Sequence, residues 1–339
     1  MLFWERSVEI SCRFSEANKN SSVVESLRHL GKFDETLSCK ILQRSSTRGW
    51  LACTLVRAMP SPDAVPENRK TFVERQPVAS YFALTFAISW MGALAVASPH
   101  LLRPEPLPKM TGILMFPAML LGPSLTGILL TRLVDGKNGL SNLFSRMVRG
   151  KLPARWYAPL LIPPALVLAV LGCLQTFVSP VYAPNLFLVG ILFGLPAGFL
   201  EEIGWMGYAF PKMLSGNNLL GSSILLGLLW SLWHLPVINY LGTAAPHGAY
   251  WFPFFLAFTT VMTAMRALIC WMYTHTKSVS LAQIMHVSST GSLVIFSASR
   301  VSAKQEVFWY GLYGIALWLV VAIVSRNLVK PLVSSTMSE

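Results

Sequence analysis

From residue 78 to residue 325 the chain is a succession of apolar runs, each ended by proline, glycine, asparagine or charge, with limits near 78–98, 110–131, 156–177, 185–206, 218–238, 250–273, 278–299 and 307–325. A helix needs roughly 20 apolar residues to cross the hydrocarbon core of a bilayer. Backbone N–H and C=O groups find no water there, so each run must satisfy its own hydrogen bonds as a helix; the runs are also too long for barrel strands. The expected fold is all-α, a polytopic membrane helix bundle of about eight transmembrane helices. Pro117, Pro123, Pro163, Pro164 and Pro196 are expected to kink theirs.

The distribution of charge sharpens this. Residues 1–76 hold nine of the fifteen acids, leaving Glu105, Asp135, Glu201, Glu202, Glu306 and Glu339 for the rest, and of these only the adjacent Glu201 and Glu202 fall inside an apolar run. The net charge of +12 comes from Lys and Arg placed mainly between the runs, where it sets membrane topology, so no nucleic-acid partner is implied. Segment 132–155 carries six basic residues. In an eight-span chain it lies on the same side as Arg69, Lys70, Arg75, Lys212, Lys277, Arg326 and Lys330, and the opposite side has only Arg103, Lys109, Arg300 and Lys304. The positive-inside bias therefore places both termini in the cytoplasm. Three parts are expected: an N-terminal extension, 1–77, largely disordered or weakly structured; a membrane domain, 78–328; and a short tail, 329–339. The N-terminus lacks the continuous apolar core of a signal peptide, and its acids argue against a transit peptide. The sequon at Asn20 is expected to go unused in the cytosol. Five scattered cysteines without CxxC spacing signal neither a disulfide framework nor a thiolate metal site.

An ionisable side chain within the bilayer costs about 2.5–3.5 kcal/mol or more unless it is paired or hydrated, which makes each one a functional candidate. Here these are Glu201, Glu202, His234, Arg266 and His286. Trp230 and His234 are four apart and share one helical face, as do His286 and Thr290. Adjacent glutamates point about 100° apart, so one is expected to do chemistry while the other serves as its partner. Bundling these helices brings a carboxylate together with two imidazoles, a set suited to activating water. The carboxylate would act as general base. The imidazoles would either hold a divalent metal such as zinc, with His234 and His286 as ligands, or orient the water and stabilise an oxyanion without metal. The Thr290 hydroxyl would add a hydrogen bond to that oxyanion. Trp230 reads as packing or interface belt, and Arg266, near the end of its run, as either a snorkelling anchor or an ion-pair partner.

The segments "EEIGWMGYAFP" (201–211), "WSLWHLP" (230–236) and "HVSST" (286–290), in that order on separate runs, resemble the three motifs of the CAAX protease and bacteriocin-processing family of intramembrane endopeptidases. That family includes the prenyl-protein protease and lysostaphin-resistance-like proteins. The resemblance extends over about residues 78–325. It implies that Glu201 is the water-activating base and Glu202 its motif neighbour, with His234 and His286 completing the site. Implied partners are the lipid bilayer and a membrane-associated or prenylated protein or peptide. Two positions depart from the pattern: Met206 stands where an arginine is usual, four residues after Glu202, and Thr290 stands where asparagine is usual. The missing counter-charge is expected to come from Arg266. Two other functions use the same residues: a proton-coupled transporter or channel with a carboxylate and imidazole relay, and a catalytically silent family member.

Overall fold

Two glycine-spaced seams decide how the membrane helices pack. In the computed structural model, residues 71–101, 107–214 and 218–325 are described in full, together with the backbone of three strands nearer the N-terminus. The expected tail 329–339 and the sequon at Asn20 lie outside the described residues. The chain divides into two units, 1–70 and 71–339. In the first, β1 (Glu9–Arg13), β2 (Leu37–Leu42) and β3 (Trp50–Leu55) pair antiparallel in the order β1-β3-β2. These strands lie within the stretch expected to be largely disordered or weakly structured.

The second unit is an all-α bundle. It comprises α1 (Phe72–Arg75), α2 (Pro77–Leu101), α3 (Lys109–Val134), α4 (Gly136–Met147), α5 (Ile162–Phe177), α6 (Gly190–Gly204), α7 (Phe210–Leu214), α8 (Leu219–Trp233), α9 (Trp251–Thr276), α10 (Val279–Phe296) and α11 (Ala303–Ser325). Six segments are long and apolar enough to cross a membrane: Pro77–Leu101, Lys109–Val134, Ala154–Phe177, Gly248–Thr276, Val279–Phe296 and Ala303–Ser325. The other two expected spans are composite. The fourth runs through α6, a π-helical turn at Trp205–Ala209, and α7. The fifth joins the 15-residue α8 to a 3-10 helix, Leu235–Tyr240, with His234 at the junction.

Prolines behave in two ways. Pro117 and Pro123 lie inside α3 and Pro196 inside α6. Pro163 and Pro164 occupy the first turn of α5, where a missing N–H costs nothing, so they start that helix and do not kink it.

The first seam runs between α6 and α10. Gly190, Gly194 and Gly198 recur every four residues and face Ile295, Gly291 and Val287; a Cβ on Gly198 would lie 2.7 Å from the Gln283 carbonyl oxygen. Small residues at this spacing let membrane helices approach backbone to backbone. Glu202 is the next position of the same stripe, so the seam carries it directly to α10. The second seam joins α8 to α9 at Gly227, where a Cβ would lie 2.7 Å from Thr263 Cα. One turn further along each helix stand Trp230 and Arg266. On the other side of α6, Gly204 lies so close to the Pro123 carbonyl and the Tyr81 hydroxyl that no Cβ fits.

The basic segment 132–155 contains the amphipathic helix α4, which buries Leu143 against Gly207 of the π turn. Arg146 donates from Nη2 to the Gly207 carbonyl at 2.8 Å and from Nη1 to the Tyr273 hydroxyl at 2.5 Å. A π turn shifts the backbone register and exposes a carbonyl, and such turns are frequent at functional sites. Here that carbonyl ties α4 to the segment that follows the glutamates.

Candidate active site

The two glutamates point apart and take different partners. Glu201 is 2% exposed, and its Oε2 accepts hydrogen bonds from the indole N–H of Trp230 at 2.7 Å and of Trp205 at 3.1 Å. Glu202 is fully buried. Arg266 Nη1 donates to its Oε1 and Oε2 at 2.8 and 2.9 Å, and His286 Nδ1 lies 2.7 Å from Oε1. A carboxylate flanked by a guanidinium is an acceptor only, so His286 Nδ1 is the donor and Nε2 is left for other partners. The buried Arg266 is therefore an ion-pair partner of Glu202 and not a snorkelling anchor.

His234 Nδ1 lies 2.8 Å from the Trp230 carbonyl oxygen, to which it must donate, and this likewise frees Nε2. Trp230 thus connects the set. Its indole N–H holds Glu201 and its carbonyl holds His234. Its ring packs edge-on to His286, with centroids 5.0 Å apart, and carries the Arg266 guanidinium 4.0 Å above its face. The sequence suggested packing or an interface belt for this residue, and its four polar and cationic contacts were not anticipated. Trp205, the second indole donor to Glu201, was missed for the same reason: residue type alone marks it as apolar bulk.

The structure does not join Glu201 directly to either imidazole; the link runs through Trp230 to His234 and to the edge of His286. Thr290 is half-buried, one turn beyond His286, and its hydroxyl bonds none of these groups. Met206 is fully buried, with its Sδ 3.9 Å from Cys270 Sγ. Arg266 Nε and Nη2 are buried and have no hydrogen-bond partner among the described residues.

Depth is consistent across the elements. By helix rise, about 1.5 Å per residue, Arg266 lies roughly 15 Å from the Thr276 end of α9 and His286 roughly 10 Å from the Val279 end of α10. Those ends adjoin the basic side, where Ser278 Oγ donates to the Arg149 carbonyl at 2.7 Å. Because the helix continues past Glu201 to Leu214, this glutamate reaches a similar depth.

A metal fits poorly. Among the described residues no three His, Cys, Asp or Glu side chains gather as a ligand set. The carboxylate nearest to a histidine, Glu202, already holds a fixed cation in Arg266.

A second buried cluster escaped the sequence reading. The Glu306 carboxylate, in the first turn of α11, accepts from the backbone N–H of Thr243 and Ala244 at 2.8 and 2.9 Å, and lies 2.9 Å from His247 Nε2. His247 stacks on Phe254 with ring centroids 3.7 Å apart. Gly242, at φ +79°, leaves room for that carboxylate. The cluster ties down the loop that follows His234. Only the position of Glu306 at the very start of an apolar run hinted at it.

Comparison with known proteins gives a match over one segment. Residues 183–292 match the family described as Type II CAAX prenyl endopeptidase Rce1-like. Over that segment the chain is Rce1-like in sequence. The match contains all three motif segments and every candidate site residue, so the resemblance drawn from the motifs is borne out there. A curated relative, CAAX prenyl protease 2 of Methanococcus maripaludis, is 38% identical over 109 residues. That alignment covers 31% of this chain and 38% of the relative, so the similarity spans well under half of either protein.

Proposed function

We propose that the chain is an integral membrane endopeptidase that hydrolyses a peptide bond near the cytoplasmic membrane surface. The observation that carries this is Glu201, a buried carboxylate whose Oε2 is held by two indole donors while its Oε1 takes no hydrogen bond from the described residues. Oε1 is the base. It removes a proton from water, the water oxygen bonds to the scissile carbonyl carbon, and the proton passes from Glu201 to the departing amide nitrogen as the C–N bond breaks. His234 accepts a hydrogen bond from the same water through Nε2. Thr290 donates its hydroxyl to the oxyanion, and His286, whose Nδ1–H is fixed by Glu202, accepts a hydrogen bond from the substrate through Nε2. No step is routed through a metal; were one bound, it would acidify the water.

By similarity to the relative and the family, the substrate class is a prenylated protein or membrane-associated peptide cleaved near its carboxy terminus. The test is cleavage of a farnesylated peptide by the purified full-length protein, with and without a chelator. Glu201→Gln is expected to lower kcat by about 100-fold or more without loss of expression, and the chelator to leave wild-type turnover unchanged. Full activity of the variant would overturn the assignment of Glu201. An absence of cleavage by the wild type, combined with pH-dependent ion flux in proteoliposomes, would replace the endopeptidase by a transporter.

A further inference from the structure

We propose that Arg266 is the positioning residue that joins the two halves of the site and takes over the counter-charge that position 206 does not supply; this rests on the endopeptidase reading above. The polar groups fall into two sets. In one, Trp230 holds Glu201 and His234; in the other, Glu202 holds His286. Arg266 touches both, through Nη1 to the two Glu202 oxygens and through its guanidinium carbon 4.0 Å from the Trp230 ring centroid.

Position 206 explains why the charge comes from another helix. It stands four residues after Glu202, where an ordinary helix would put a partner on the same face. It is instead Met206, fully buried against Cys270, and Cys270 is one turn along α9 from Arg266. A thioether and a thiol fill the space beside the turn, and the cation is delivered from α9. The Gly227–Thr263 contact holds α8 against α9 closely enough for the guanidinium to reach the face of the indole. Lysine does not substitute for this: its ammonium is a compact, strongly hydrated point charge, whereas the delocalised, weakly hydrated guanidinium suits a buried place over an indole. Fixing the Glu202 carboxylate fixes His286 Nδ1, and the cation–π contact holds the Trp230 ring, whose N–H binds Glu201 Oε2.

The experiment uses full-length protein in lipid nanodiscs with a farnesylated peptide. Arg266→Met is expected to lower kcat about 100-fold while KM stays within about threefold, the signature of lost transition-state geometry with substrate binding retained. Arg266→Lys should recover less than about a tenth of wild-type kcat, because a compact, strongly hydrated ammonium does not reproduce the buried contact with the indole. Met206→Arg combined with Arg266→Met should exceed Arg266→Met alone by about tenfold. Thermal unfolding of Glu202→Gln, Arg266→Met and their double variant gives a readout independent of activity. The double variant should unfold at a higher temperature than Arg266→Met alone, since no orphan charge remains buried. Wild-type kcat in Arg266→Met, or additive unfolding shifts, would overturn the proposal. If the wild type cleaves nothing, the endopeptidase reading fails, while the unfolding cycle still decides whether Arg266 and Glu202 act as a pair.

Discussion

Trp230 separates two contributions that a single aromatic residue makes to a buried site. Its N–H orients Glu201, and its π face carries a cation. Trp230→Phe removes the first and keeps most of the second. A hydrogen bond to a charged group is worth about 1.5–3 kcal/mol, so kcat is expected to fall by about 10- to 100-fold while the protein keeps its fold. Peptide turnover by the purified variant checks this, with circular dichroism as the control. Thr290 supplies the complementary prediction. Thr290→Val, which keeps shape and removes the hydroxyl, should lower kcat by about tenfold if that group meets the oxyanion, and Thr290→Asn should equal or exceed the wild type. An unchanged Thr290→Val would exclude that hydroxyl from the oxyanion contact. Residue identity made Glu201, Glu202, His234, Arg266 and His286 legible in the sequence, because a charge in an apolar run has few inert explanations. Partner choice was not legible. A 100° offset says that adjacent glutamates diverge, but which of them meets an imidazole depends on helix rotation, and that is set by packing.

At the scale of elements, packing is written in glycines. The stripe Gly190, Gly194, Gly198 was present in the sequence, yet its meaning emerges only opposite Val287 and Gly291. Hydropathy located all eight apolar runs and missed the character of two. A window of apolar residues looks the same whether its backbone is α, π or 3-10, so the turn at Trp205–Ala209 and the break at His234 left no hydropathic trace. Both irregularities fall at the site, where backbone register is used to aim side chains. The seam at Gly227 yields a test. Its added Cβ would meet Thr263 Cα, a backbone atom that cannot rotate away, so Gly227→Ala must separate α8 from α9 and lift Arg266 off Trp230. Loss of most activity and a lowered unfolding temperature are expected. Gly172→Ala, in α5 with nothing within 4 Å of its Cβ, is the control: it should retain activity and gain up to about 1 kcal/mol from helix propensity.

For the whole molecule, the open question is how the short fifth segment crosses. Its 15 helical residues rise only about 22 Å, less than a hydrocarbon core of about 30 Å. The connections on either side nevertheless require a crossing. Before it, Lys212 pairs with Asp135 at 2.9 Å, beside the basic segment. After it, α9 begins at Trp251 and runs its full length back to Thr276, next to Ser278, whose hydroxyl bonds the Arg149 carbonyl. The chain therefore passes from the basic side to the other side between residues 214 and 251. The six residues of 3-10 helix after His234, at about 2 Å each, supply the remaining rise. Eight crossings would put both ends of the membrane unit on one side, the side that the positive-inside bias expects to be cytoplasmic. In a cysteine-free background, Ala249→Cys should react with a membrane-impermeant maleimide added outside intact cells, and Ser145→Cys only after permeabilisation. Labelling of both from the same side would make the fifth segment re-entrant, set the two ends on opposite faces, and require a different route for substrate to reach Glu201.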